Sequence, residues 1–504
     1  MTSVKVYGVC ALLSISYEGC LRLRKLRRCG CKRISPGRAY LAEYVLKGMG
    51  ARISALSIPL GALAVVCYVL GTAAAIPALR SGAVLFSLLA MVLQFASLAL
   101  MARVFLLGAL LSYCVGFHFF PAQRELLSRA LEQGVGFACF LSVLGMIRYP
   151  VRNSAFLKRA VGALLSIPPR WQYSSVTLAS QFMSLLFNIG VIPLVFDAIS
   201  HKKAEAITAQ EQTLVLASLR GSALTTLWSP LGIGFTIVTT SIVGLSSIKL
   251  FAVALVMALA IAALDCATRR LPQSGTPPAG TVDAPQPGAG RAMLGTLAIC
   301  VLLLLAALLL HVLTAWAQLV CVMILLVVVG CAWLCVERPA QSQGGFSDVA
   351  LMLRGMNTMS MESAMYLSAV VIGACMSLAV QTLPIWSSVQ AGSQFGGFVI
   401  LFCMLVVPLA GMLLIPHSVL VVLLAELFGA TTLGQAHGLS LALALSAGWA
   451  MAVATSPIAA ATILTGNICG VSSKVVGASL NRSFALLLGG VAALFISVLY
   501  LLGY

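Results

Sequence analysis

Charge is what this chain has least of. Only 9% of its 504 residues are Asp, Glu, Lys or Arg, while 61% are hydrophobic; soluble domains carry about 25% charged and about 45–50% apolar residues. A soluble fold is excluded. Acids are the scarcer sign, 13 in all, and most fall in loops, so no intramembrane carboxylate pair of the kind a cation exchanger needs is visible. A phosphate-binding glycine loop, a nucleophile elbow and a metal-ligand cluster are also missing. Their absence excludes an ATP-driven pump on this chain alone and leaves an enzyme without machinery; a membrane transferase would need an Asp/His cluster at one membrane face, and none is evident. No cofactor is expected. The 15 cysteines are scattered, mostly inside apolar stretches, as small core residues are. Cys29-Gly-Cys31, with Cys20 upstream, lacks the second ligand pair of a metal site.

What the chain does have is apolar length. Segments recur near 53–79, 81–101, 104–120, 134–147, 174–200, 211–243 and 248–266, then near 292–313, 315–335, 365–382, 396–427, 439–470 and 482–503. Many approach the roughly 20 residues that carry a helix across about 30 Å of hydrocarbon. Only helices and closed barrels satisfy their backbone in lipid, so the fold class is an all-α polytopic membrane protein with roughly 10–13 membrane segments. The net charge of +18 does not indicate a nucleic-acid partner: eleven of the 31 Lys and Arg lie in residues 1–52, mostly in "LRLRKLRRCGCKR". A basic segment beside the first span holds that end in the cytoplasm and meets anionic lipid headgroups. The opening "VYGVCALLSIS" has its basic cluster after it, the reverse of a signal peptide, and reads as an interfacial helix. Residues 269–291, rich in Pro, Gly and Ala, read as a flexible linker between a first half, 53–268, and a second, 292–504. The stretch 344–364 is amphipathic, suited to lying at the interface or covering a neighbouring helix.

The halves overlay without a gap at an offset of 227. Gly221 then falls on Gly448, and Ser229-Pro230 on Ser456-Pro457. Ile192-Pro193 answers Ile415-Pro416 one helical turn out of that register. An internal duplication follows.

The segments carrying these signatures are interrupted. Segment 396–427 would be about 48 Å long as one helix at 1.5 Å per residue, too long for one upright span and too short for two. A re-entrant pair of half-helices fits, bent by Pro408, Gly411 and Pro416; segment 174–200, with Asn188, Gly190 and Pro193, has the same character. Proline inside a helix costs about 3 kcal/mol, and broken backbone is tolerated at membrane depth where it is buried in protein or lines a water-filled cavity. Small polar residues accompany each break, as where half-helix ends meet a substrate at the midplane. The candidate substrate-facing residues are Asn188, Ser229, Thr236, His417, Ser418, Thr455, Ser456 and Thr462, with backbone exposed by Pro193, Pro230, Pro416 and Pro457. The plainer reading of any one hydroxyl is a bond to its own backbone. Arg220, just before one break, suits an anion or a snorkelling role equally.

"ThrSerProIleAlaAla" (455–460) and "TrpSerProLeuGlyIle" (228–233) look like the polar-proline motif on the broken helix of the ion transporter superfamily, which includes divalent anion:sodium symporters, arsenite permeases, gluconate permeases and the large membrane subunits of TRAP transporters. "GlyMetLeuLeuIleProHisSer" (411–418) and "PheAsnIleGlyValIlePro" (187–193) resemble the hairpins of that family. The Ser-Asn-Thr hairpin motif of the divalent-anion symporters is absent. This resemblance implies two inverted repeats, each with a re-entrant hairpin and a broken helix. It further implies a secondary transporter of the inner membrane that moves a small anion by alternating access, with Na+ or H+ as coupling ion; a homodimer is left open. The alternative is a membrane-embedded assembly or lipid- or glycan-handling component that keeps the fold without ordinary transport.

Overall fold

Apolar side chains face outward along most of the helices. On the helix Leu100–Phe119, Leu100 is 76%, Leu111 67% and Phe119 70% exposed, an arrangement that only lipid makes favourable. The computed structural model describes residues 56–165, 167–199, 207–242, 244–269, 289–337, 345–384, 386, 395–429 and 431–504. The basic segment 1–52 and nearly all of the linker 269–291 lie outside the described residues. Every regular element among the described residues is helical, and twelve helical runs are long and apolar enough to cross a membrane. The chain is a polytopic membrane protein.

The helices are α1 Leu56–Ala73, α2 Pro77–Gln94, α3 Leu100–Phe119, α4 Arg124–Asn153, α5 Ala155–Leu165, α6 Pro169–Phe187, α7 Val191–Ile199, α8 Ala209–Trp228, α9 Ile233–Ser241 and α10 Ser247–Thr268. There follow α11 Ala289–Thr314, α12 Gln318–Val336, α13 Gly345–Arg354, α14 Ser360–Gln381, α15 Gly396–Met412, α16 His417–Gly429, α17 Thr432–Ala436, α18 Gly438–Thr455, α19 Ala460–Cys469 and α20 Arg482–Leu501.

The described residues of these elements form two compact units, one from 56–146 with 349–368, the other from 147–337, 345–348 and 369–504. In the first, a cavity of about 30 Å³, room for about one water, has Ser57, Gln94 and Asn357 in its wall. Gln94 Nε2 donates to Asn357 Oδ1 at 3.2 Å and Asn357 Nδ2 to Ser57 Oγ at 2.8 Å. The amphipathic stretch 344–364 builds α13 and the start of α14 and covers a helix: Gly355 meets Gly145 of α4 so closely that a Cβ on it would lie 2.5 Å from the Gly145 carbonyl oxygen. Met352, Met356 and Met359 are buried along this stretch.

In the second unit the packing is reciprocal. α6 packs on α8 as α15 packs on α18; α7 on α8 as α16 on α18; α8 on α10 as α18 on α20. The exchange continues across the halves, since α9 packs on α16 while α19 packs on α7, and α9 packs on α18 while α19 packs on α8. The two proline-interrupted runs are the most enclosed of the twelve, with 89% (Ala209–Ser241) and 94% (Gly438–Cys469) of their most apolar stretches buried, against 17–28% for α1–α3.

Outside the spans, Glu337 ties α12 to α5. Its Oε2 accepts from Ser154 Oγ at 2.5 Å and from Trp333 Nε1 at 3.2 Å, and its Oε1 accepts from the Phe156 N–H at 2.9 Å, which satisfies a first-turn donor of α5. Burial works to raise its pKa, but these bonds outweigh it and hold the carboxyl below its ordinary value of 4.5. Because the folded value is the lower one, the stabilisation is present above the ordinary value and is lost as pH falls through the folded one. Glu337→Gln should therefore cost about 1 kcal/mol near neutral pH and little at strongly acidic pH. Thermal unfolding of purified protein at both conditions checks this; an equal loss at both would count against it.

Candidate functional site

Pro230 and Pro457 have no N–H to return to the preceding turn, so α8 and α18 stop there. They stop in the same geometry. Ser229 (φ −73°, ψ 115°) and Ser456 (φ −69°, ψ 129°) turn into extended backbone. Each serine N–H still reaches back, to the Thr225 carbonyl at 3.0 Å and the Ala452 carbonyl at 2.8 Å. Each Oγ then accepts from the N–H two residues on, Leu231 at 3.2 Å and Ile458 at 3.4 Å, the local turn a serine hydroxyl supports. Each serine carbonyl accepts from the next N–H, Gly232 at 2.9 Å and Ala459 at 3.1 Å, before α9 and α19 restart. All four pairs differ by 227.

The partner helices keep that register. A Cβ on Gly221 would lie 2.2 Å from the Thr177 carbonyl oxygen of α6, and one on Gly448 would lie 2.6 Å from the Met404 carbonyl oxygen of α15. Thr177 and Met404 also differ by 227. Glycine is required at both because the backbones touch.

The two partner runs break as expected in place but not in cause. α6 ends at Asn188, a non-glycine at φ +52° whose Oδ1 accepts from the Ile189 N–H at 2.8 Å. α15 ends before Leu414, at φ +66°. Asparagine tolerates positive φ through such local bonding. Pro193, expected as the break, instead sits in the first turn of α7, where its missing N–H costs nothing. Pro408 lies inside α15, and Pro416 immediately precedes α16.

Of the candidate residues, Ser456 joins two elements: its Oγ donates to the Gly411 carbonyl of α15 at 2.8 Å. Thr462 Oγ1 bonds the carbonyls of Ser456 at 2.5 Å and Ala459 at 2.9 Å, fixing the second break. Thr236 and Thr455 bond carbonyls one turn back, Gly232 at 3.2 Å and Met451 at 2.7 Å, the plainer of the two readings. Ser229 and Ser418 are buried. His417 opens α16 with its ring edge-on to Trp449 at 5.1 Å between centroids, and its Nδ1 has no hydrogen-bond partner. Gly234 of α9 approaches the same indole, so Trp449 gathers α9, α16 and α18.

Sequence reasoning missed a polar face beside the first break. Ser180, Gln181 and Ser184 are buried on α6, with Trp228 on α8. The Phe182 and Trp228 rings lie 5.6 Å apart, and Thr225 Oγ1 donates to the Gln181 carbonyl at 2.6 Å. Both Gln181 amide atoms, both serine hydroxyls and the Trp228 Nε1 lack hydrogen-bond partners. Burying such groups unsatisfied costs about 1–3 kcal/mol each, and convergent polar groups in an apolar surround are what a polar ligand engages. The spacing 177, 180, 181, 184, one face of a helix, was the available signal.

Arg220 is buried among protein groups. It is 1% exposed; Nε donates to Asn481 Oδ1 at 3.0 Å, Nη1 to the Tyr173 hydroxyl at 2.6 Å and Nη2 to the Leu480 carbonyl at 3.0 Å. Asp265 supplies the counter-charge at 3.6 Å, accepts from Tyr173 at 2.5 Å and pairs with Arg269 at 3.3 Å. Asn481 Nδ2 in turn donates to the Ala454 carbonyl at 3.0 Å, an acceptor left over because Ile458 N–H has turned to Ser456. The brace runs from α6, α8 and α10 of the first half to the edge of the second break. Asp197 is exposed on α7, and His311 Nδ1 bonds the Trp316 carbonyl at 2.7 Å, a structural contact.

No family model matches the chain, and no curated protein matches it in sequence.

Proposed function

We propose that this protein is a secondary active transporter of the ion transporter type. It moves a small organic acid or oxyanion by alternating access, across an inner-type membrane with its basic N-terminus cytoplasmic. The observation that carries the reading is the pair of Ser-Pro breaks, alike in their serine turn and backbone hydrogen bonds and 227 residues apart, in the two most enclosed runs. The reciprocal packing of α6–α10 and α15–α20 supports two repeats, whose inversion and hairpins belong to the proposal. The substrate meets the polar face of Gln181, Ser184 and Trp228 and the hydroxyl, imidazole and backbone groups at the breaks, with α9 and α19 directing positive N-terminal ends toward its charge. Uptake of carboxylates and oxyanions into proteoliposomes under an imposed H+ or Na+ gradient tests it; accumulation of at least one anion is expected.

A further inference from the structure

Between Glu362 and Lys474 a single residue of the Asp, Glu, Lys or Arg type occurs, Glu426. It lies in α16, "HSVLVVLLAELFG", nine residues after His417. At 1.5 Å per residue it stands about 13 Å along the helix from His417. Its Oε1 accepts from Ser241 Oγ at 2.6 Å, and Ser241 is the last residue of α9, the far part of the first broken run. Three residues further on, Gly429 lets the backbones touch: a Cβ there would lie 2.4 Å from the Ser241 carbonyl oxygen. The carboxyl therefore sits where the hairpin-type segment of one half docks on the broken helix of the other.

No cation faces it. α9, α15, α17, α18 and α14 around Gly373, which meets Val422 and Leu423, carry no Lys, Arg, Asp or Glu. The titratable groups on the elements about α16 are Tyr366 and Cys375 of α14, which also carries Glu362 eleven residues before Gly373, together with Cys403, His417 and His437. An ionised carboxylate with one neutral hydroxyl and no counter-ion is disfavoured in such surroundings, and binding a proton removes the penalty. Protonation then favours the docked arrangement of α16 on α9, and ionisation favours one that brings the carboxyl to water. A group whose proton affinity differs between two arrangements couples the proton gradient to the motion between them.

We propose that Glu426 binds the coupling proton, with Ser241 as the partner that senses its charge state. This rests on the transporter reading. The test uses the full chain in proteoliposomes. Infrared difference spectra between low and high pH report protonated carboxyls without any substrate, and a panel of carboxylates and oxyanions reports exchange and net accumulation. For wild type, a titrating carboxylic-acid band is expected; Glu426→Gln should lose it, keep anion exchange, and lower accumulation driven by a pH gradient at least about tenfold. Ser241→Ala, which leaves the carboxyl in place, should move the pH dependence rather than remove it. The proposal is overturned if Glu426→Gln keeps the band, accumulates like wild type under a pH gradient, or if Ser241→Ala titrates unchanged. Wild type that exchanges no anion overturns the transporter reading instead, whatever the band does.

Discussion

Arg220→Ala lowers the stability of the folded chain by about 3–5 kcal/mol, the range for removing one member of a buried ion pair. The guanidinium is 1% exposed, and Asp265, equally buried, is left facing Tyr173 and a partly exposed Arg269. The substitution also releases Asn481, which alone offers a side-chain donor to the Ala454 carbonyl among the described residues, so an orphaned acceptor adds to the unpaired charge. Lysine does not rescue this site, because three donors leave the guanidinium in fixed directions toward Asn481, Tyr173 and Leu480. Removing both charges together, Arg220→Met with Asp265→Leu, costs less than the arginine change alone, since a buried pair is replaced at little net cost while a lone buried charge is not. Thermal unfolding of the purified single and double variants measures the difference. A single variant within about 1 kcal/mol of wild type would mean the brace is no more than a surface-grade ion pair.

The second large effect falls on two glycines at once. Gly221→Ala and Gly448→Ala each place a methyl about 1 Å inside ordinary contact distance of a backbone oxygen, at 2.2 Å from Thr177 and 2.6 Å from Met404. Neither oxygen is the far end of a flexible side chain, so the helices must separate, and each variant should lose about 1–3 kcal/mol or more. The pairing is the sharper part of the expectation: the two losses should be of similar size because the two sites do the same work in the two halves. Gly162→Ala in α5 and Gly490→Ala in α20 are the controls, since a methyl at either meets nothing within 4 Å; they should be neutral or slightly stabilising through helix propensity. Unequal losses at Gly221 and Gly448, or losses at the controls, would argue against a duplicated packing unit.

The breaks were legible because proline has no donor and leaves its mark in any context. Ser-Pro therefore located the ends of α8 and α18, and the 227-residue offset paired them. Break positions set by φ alone were not legible in the same way: Asn188 and Leu414 take positive φ without a residue type that compels it, and Pro193, the obvious breaker, sits harmlessly in a first turn. The hydroxyl candidates divided according to what lay one turn back, with Thr236 and Thr455 turning to their own helices while Ser456 found Gly411 in another. The brace around Arg220 was not legible because its partners are distant along the chain, Tyr173 at a separation of 47 residues and Asn481 at 261. Gln181 went unnoticed for the same reason: a glutamine in an apolar run says nothing until its neighbours are known to leave it unpaired.

Transport itself is most directly measured with the purified, monodisperse chain in sealed proteoliposomes, following labelled carboxylates and oxyanions under a pH gradient, a sodium gradient and neither. Concentrative uptake of at least one anion, abolished when an ionophore collapses the driving gradient, is the predicted result. Equal levels with and without every gradient, for the whole panel, would contradict the account and leave the paired breaks as architecture without a carrier.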